Sequence, residues 1–166
     1  MKECVYLVGQ ISVDQPETYH WRKEVTTYFK DIPNIDIIDP CGNAFNTSVL
    51  KKWSGEKDIH RRKIYASNGI EVLPKKDLSF VKRSTIAIAD MNIYDTNKAI
   101  IGSFFELAWY AMYPEKIVIG VYSGDTDNSL HTKHPFVRNS VTLWVKTHKN
   151  ACDIIRQYFE ETENAF

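Results

Sequence analysis

The residue in this sequence hardest to explain as mere structure is Glu106. It is the one charge in the body of Gly102-Ser103-Phe104-Phe105-Glu106-Leu107-Ala108-Trp109, a helical pattern that is apolar almost all round. Phe104, Phe105, Leu107, Ala108, Trp109, Ala111 and Met112 predict a helix too apolar to lie on a surface, with Glu106 among buried neighbours. A lone buried carboxylate is costly unless it is paired or used. Just upstream, the apolar run 86–89 ends at a second carboxylate, Asp90, and a polar loop, 92–98, leads into the helix. In open α/β sheets ligands sit at the carboxyl ends of such strands. Ser103-x-x-Glu106 also has the spacing of a capping box, in which serine and glutamate exchange hydrogen bonds with each other's backbone amides. That ordinary reading stands beside the chemical one.

Other residues at predicted strand ends could share the chemistry. Tyr6, Gly9, Asp39, Asn92 and His134 join Asp90 and Glu106 there. A buried carboxylate with hydroxyl and amide groups around it suits attack at a sugar anomeric carbon. The transition state is oxocarbenium-like, and the carboxylate stabilises it or bonds to it. A second carboxyl group can protonate the departing base. No dinucleotide-binding glycine pattern, phosphate-binding P-loop or serine nucleophile elbow occurs. Cys4, Cys41 and Cys152 are odd in number and far apart, with no Cys-x-x-Cys pair to suggest zinc.

The elements that must position these groups alternate along the chain. Short apolar runs at 4–9, 35–39, 86–90 and 116–122, and a further run at 140–145, read as strands. Helical patterns fill 17–30, 75–83, the Glu106 segment and 148–161. Residues 41–57, with Phe45 and Trp53, read as an excursion over the site. Residues 58–68, with Asp58, His60, Arg61, Arg62 and Lys63, read as an exposed helix face. Asp77, near the start of its helix, is most simply a charge suited to the helix dipole. Arg22, in the early turns of the first helix, is ordinarily solvated but has the reach to meet a ligand above the first strand. The polar loop 123–135 is a candidate lid. Strand–helix alternation predicts a single α/β domain over 1–166: a doubly wound, five-stranded parallel sheet in a three-layer sandwich, flavodoxin-like or Rossmann-like.

Composition narrows the classes. The chain has 166 residues, 43% hydrophobic and 25% charged, with zero formal net charge from 21 basic and 21 acidic residues. That balance argues against a nucleic-acid polymer as partner. No apolar run approaches the roughly 18 residues of a membrane span. Cysteine usage and the lack of a signal-peptide layout fit a cytoplasmic protein.

Taken in order, Val5-Tyr6-Leu7-Val8-Gly9, Trp21-Arg22, Asp39-Pro40, the strand 86–90 and Gly102-Ser103-x-x-Glu106-Leu107-Ala108 followed by Lys116-Ile117-Val118 resemble the nucleoside 2-deoxyribosyltransferase family over nearly the whole chain. The resemblance implies Glu106 as the nucleophile on the deoxyribose C1′ and Tyr6 as the tyrosine that orients it. Gly9, Gly102 and Ser103 would line the sugar or 5′ side. The resemblance also implies no metal or organic cofactor, a nucleoside or nucleotide as substrate, and a homo-oligomer in which a neighbouring subunit completes the site. On the residues' own chemistry, Arg22, Ser103 and the helix N-terminus at Gly102 could hold a 5′-phosphate. Where the family has an aspartate at the start of the strand before the glutamate helix, this chain has Ser84 and Thr85. Asp90, Asp77 or Asp95 would have to stand in. The expectation is therefore N-glycosidic cleavage with transfer to a second base. Hydrolysis of nucleoside 5′-monophosphates, or binding of a nucleotide-derived ligand without turnover, are the alternatives.

Overall fold

The computed structural model describes residues 2–12, 14–42 and 72–163. The readings for 43–57, including Phe45 and Trp53, and for the basic segment 58–68 lie outside the described residues. Strand β1 (Glu3–Gly9) is rich in β-branched and aromatic residues and is buried on both faces from Val5 onward. Such a strand suits the middle of a parallel sheet covered by helices. It pairs in parallel with β2 (Ile35–Ile38) on one side and β3 (Ile86–Asp90) on the other. Beyond β3 come β4 (Ile117–Val121) and the short edge strand β5 (Leu143–Val145), giving the order β2-β1-β3-β4-β5. This is the doubly wound, flavodoxin-like order, whose winding reverses between β1 and β3.

Residues alternate between the two faces of each strand. Val5, Leu7, Ile86 and Ile88 face α1 (Glu17–Phe29) and the C-terminal helix, packing with Trp21, Val25, Phe29, Ala151 and Ile155. Tyr6, Val8, Ala87 and Ala89 face α2 (Leu73–Arg83) and α3 (Ile101–Tyr110), packing with Phe80, Val81, Leu107 and Tyr110. Burying each large side chain contributes about 1.5–3 kcal/mol. The Trp21, Val25 and Phe29 stripe of α1 is the one its helical period predicts.

Two expectations are corrected. Residues 140–145 do not form one strand: α4 (Pro135–Ser140) occupies 135–140 and leaves only Leu143–Val145 for β5. Pro135 opens that helix, where its missing N–H costs nothing. The C-terminal helix, α5, is His148–Glu163. Helix α3 is also not enclosed on every side. Ser103, Glu106, Leu107 and Tyr110 form its buried face, while Ile101 and Phe105 are each 58% exposed. Among the described residues no helix is long and apolar enough to cross a membrane.

Candidate active site

A cleft of about 350 Å³ opens where the winding reverses. Its floor is the end of β1 and the residues after it, Gly9, Gln10 and Ile11. One wall is the first turns of α3, with Gly102, Ser103 and Glu106. The other is α2, with Leu73 and Asp77. The volume falls in the range of small-molecule sites, about 300–1,000 Å³.

Glu106 is buried, and Tyr6, 100 residues away in sequence, donates its hydroxyl hydrogen bond to Glu106 Oε1. The capping-box alternative fails on position. The residue that caps α3 is Ile100, so Ser103 is already inside the first turn, and no side chain caps the helix. Burial pushes the Glu106 carboxyl up to about 8, and Asp77 adds to the rise. The Tyr6 hydrogen bond and the Arg22 charge pull the other way. Tyr6 itself is held well above the ordinary tyrosine value, first by burial and then by the charges of Glu106 and Asp77. The cleft thus brings together Tyr6, Gly9, Asp77, Gly102, Ser103 and Glu106 from the predicted set.

Gly9 carries a second constraint. A Cβ there would lie 3.1 Å from the Trp21 ring and 3.2 Å from Asp90, so close packing as well as the cleft calls for glycine.

The other candidates stand elsewhere. Asp90 shares the parity of Ile86 and Ile88, so its carboxylate points to the α1 and α5 side of the sheet, away from Glu106. There it accepts hydrogen bonds from the Asn92 amide N–H (3.1 Å), Asn92 Nδ2 (2.6 Å) and Tyr94 OH (2.9 Å). His148 Nε2, whose ring stacks on Trp21, lies 3.4 Å from it. Asp90 is a buried anchor for loop 92–94, and its expected catalytic part is withdrawn. Asn92 is spent on the same anchor, its Oδ1 accepting from the Ser123 N–H (3.0 Å) and Oγ (2.8 Å). His134 precedes α4 and stacks on Phe136 beside an apolar groove on the far side of α3. Asp39 Oδ1 accepts from the Cys41 N–H at 2.8 Å, and its neighbour Pro40 rather than Asp39 lines the cleft. Arg22 is neither solvated nor on the cleft wall; its guanidinium is directed at backbone carbonyls.

Of Asp90, Asp77 and Asp95, only Asp77 lines the cleft. Asp95 is committed to Ser12 Oγ (2.7 Å) and the Asn97 N–H (3.0 Å), and these bonds hold its carboxyl below the usual range. Sequence reasoning passed over Gln10. Its Nε2 donates to the carbonyls of Asp95 and Lys98, both at 2.8 Å, and its Oε1 accepts from the N–H groups of Tyr94 (2.9 Å) and Asp95 (2.8 Å). One side chain therefore ties the end of β1 to the loop that delivers α3. Among the described residues no group of His, Cys, Asp and Glu is arranged to hold a metal ion.

No known family model matches the chain, and no curated protein matches it. Among solved structures, the crystal structure of a conserved protein from Enterococcus faecalis V583 is similar, with a TM-score of 0.59 at 15% identity over 95% of this chain and 99% of that one. At that identity the likeness shows the α/β fold alone.

Proposed function

We propose that this protein cleaves the N-glycosidic bond of 2′-deoxynucleosides through a glycosyl ester on Glu106 and passes the deoxyribosyl group to a second base. The observation that carries the reading is the buried Tyr6–Glu106 hydrogen bond in a cleft whose other wall bears Asp77. In the first step the ionised Glu106 carboxylate bonds to C1′ as the C1′–N bond breaks. The bonding pair leaves on the base nitrogen, which takes a proton from the Asp77 carboxyl. In the second step an incoming base attacks C1′, releases Glu106, and returns a proton to Asp77. Tyr6 holds Glu106 in line and shares its charge, which counts for more in a dry site than in water. Two carboxyl groups and no Lys, Arg or His line the described part of the cleft, which favours an uncharged nucleoside over its 5′-monophosphate.

The exposed apolar face of α3, with Ile101 and Phe105, supports a homo-oligomer as the working form. The test is chromatography of base release from each deoxynucleoside and each monophosphate, with and without an added second base, beside Glu106→Ala. New nucleoside that requires both the second base and Glu106 is the expected result. Free base from water alone makes the protein a hydrolase, and tight binding without release makes it a binding protein.

A further inference from the structure

Arg22 heads the fully buried side chains of the described residues by volume, at 1% exposure. Nη2 donates to the Gly9 carbonyl at 2.9 Å; Nη1 donates to the Gln10 carbonyl at 3.2 Å and to the Thr18 carbonyl. The guanidinium also lies 4.4 Å from the centre of the Trp21 ring. Among the described residues Nε has no hydrogen-bond partner, and the Asp39 carboxylate stands 3.6 Å from it, already engaged with the Cys41 N–H. A buried cation held mainly by carbonyl dipoles and one long ion pair is an expensive arrangement for structure alone. Two of the three carbonyl-bearing residues it holds, Gly9 and Gln10, line the Glu106 cleft.

We infer that Arg22 is a positioning residue of the Glu106 cleft: it fixes the Gly9–Gln10 floor by taking both carbonyls and keeps a permanent positive charge behind that floor. Released from Arg22, those carbonyls would be free to turn toward the cleft and set partial negative charge beside Glu106. The inference deepens the proposed reaction and rests on Glu106 acting in its ionised form. Among the described residues, Glu106 is hydrogen-bonded by Tyr6 of β1 and coupled through charge to Asp77 of α2, Tyr110 of its own helix, Cys41 beyond β2, and Arg22. Only Arg22 in that set is a cation, and its charge opposes the rise that burial imposes on Glu106.

Two variants separate the fork from the charge. Arg22→Lys keeps the charge and loses the three-carbonyl fork; Arg22→Gln keeps a donor and loses the charge. The first readout is an infrared titration of the Glu106 carboxylic-acid band, assigned by its loss in Glu106→Gln, which needs no substrate. Arg22→Gln should move that titration up by roughly one pH unit, and Arg22→Lys should leave it near the wild-type position. The second readout is base release against pH. Arg22→Lys should raise KM about tenfold with the pH midpoint of kcat unmoved, because the floor is misplaced while the charge remains. Arg22→Gln should move that midpoint upward. A Glu106 titration unchanged in Arg22→Gln, or a wild-type KM in Arg22→Lys, overturns the inference. If the wild-type protein releases no base at all, the proposed reaction fails, while the infrared titration still decides the role of Arg22.

Discussion

Replacing Glu106 by Gln should stabilise the protein, and the gain should grow with pH. In the unfolded chain this carboxyl ionises near 4.5; in the folded protein burial holds it protonated up to about 8. Between those values the unfolded state sheds the proton and the folded state keeps it. Folding therefore loses ground as pH rises through that window, and the loss is complete above about 8. The gap corresponds to about 3 kcal/mol at pH 7 and about 5 kcal/mol once both states are ionised. Gln never ionises, so Glu106→Gln escapes this cost. Urea denaturation of both proteins from pH 4 to pH 9 reads the difference directly. The two stabilities should run at a constant offset below about pH 4.5, and the variant should then pull ahead by a few kcal/mol. Stability curves that stay parallel across the range would refute the desolvation of Glu106, the cause of its raised ionisation. A site that weakens its own fold in this way is expected where activity requires a strained or desolvated group.

Tyr6→Phe removes the hydroxyl that donates to Glu106; kcat for base release should fall on the order of 10²-fold, and its acid limb should move to higher pH. Gln10→Ala strands four backbone partners in loop 94–98; thermal or urea melts should show a loss of about 3 kcal/mol, with KM raised as α3 loses its register. Asp90→Asn breaks the anchor of loop 92–94 without touching the cleft. It should lower stability while kcat stays within about threefold of wild type, and a large fall in kcat would return Asp90 to the chemistry. Phe105→Glu places a charge on the exposed apolar face of α3. Sedimentation should show the oligomer shift toward monomer, and an unchanged profile would remove that face as the contact.

The sheet was legible because its central strands, β1, β3 and β4, are short apolar runs buried on both faces, and such runs leave little choice of architecture. Glu106 was legible because a single charge in an apolar helix has few structural explanations. The apolar residues of that helix encircle it, yet only the stripe through Ser103, Glu106, Leu107 and Tyr110 is enclosed in the single chain, so an apolar circumference does not by itself mean burial on every side. Asp90 was misread because a strand's end can point to either face. The parity of Ile86, Ile88 and Asp90 fixes their common side, but only the packing reveals that α3 lies on the other. Asp77 looked like a helix-dipole charge until α2 was seen to form the second wall of the cleft. Arg22 was marked for a ligand rather than for the carbonyls it holds, and Gln10 was passed over, for a different reason. Their value lies in backbone carbonyls and amides, which carry no signature in side-chain sequence. The partners of Gln10 are also more than 80 residues away. The strand-start position of Ser84 and Thr85 was read as a loss. Ser84 instead bonds to the Phe80 and Val81 carbonyls and to Tyr110, closing α2 behind the cleft.

The central claim is a covalent bond between Glu106 and the deoxyribose. The protein would be mixed with a 2′-deoxynucleoside, quenched in acid within milliseconds, digested, and its peptides weighed by mass spectrometry. The account predicts that the peptide carrying Glu106 gains the mass of one deoxyribosyl group, that free base appears in equal amount, and that a second base added before the quench discharges the adduct into new nucleoside. Base released at the full rate with no adduct on that peptide, and undiminished in Glu106→Ala, would contradict it.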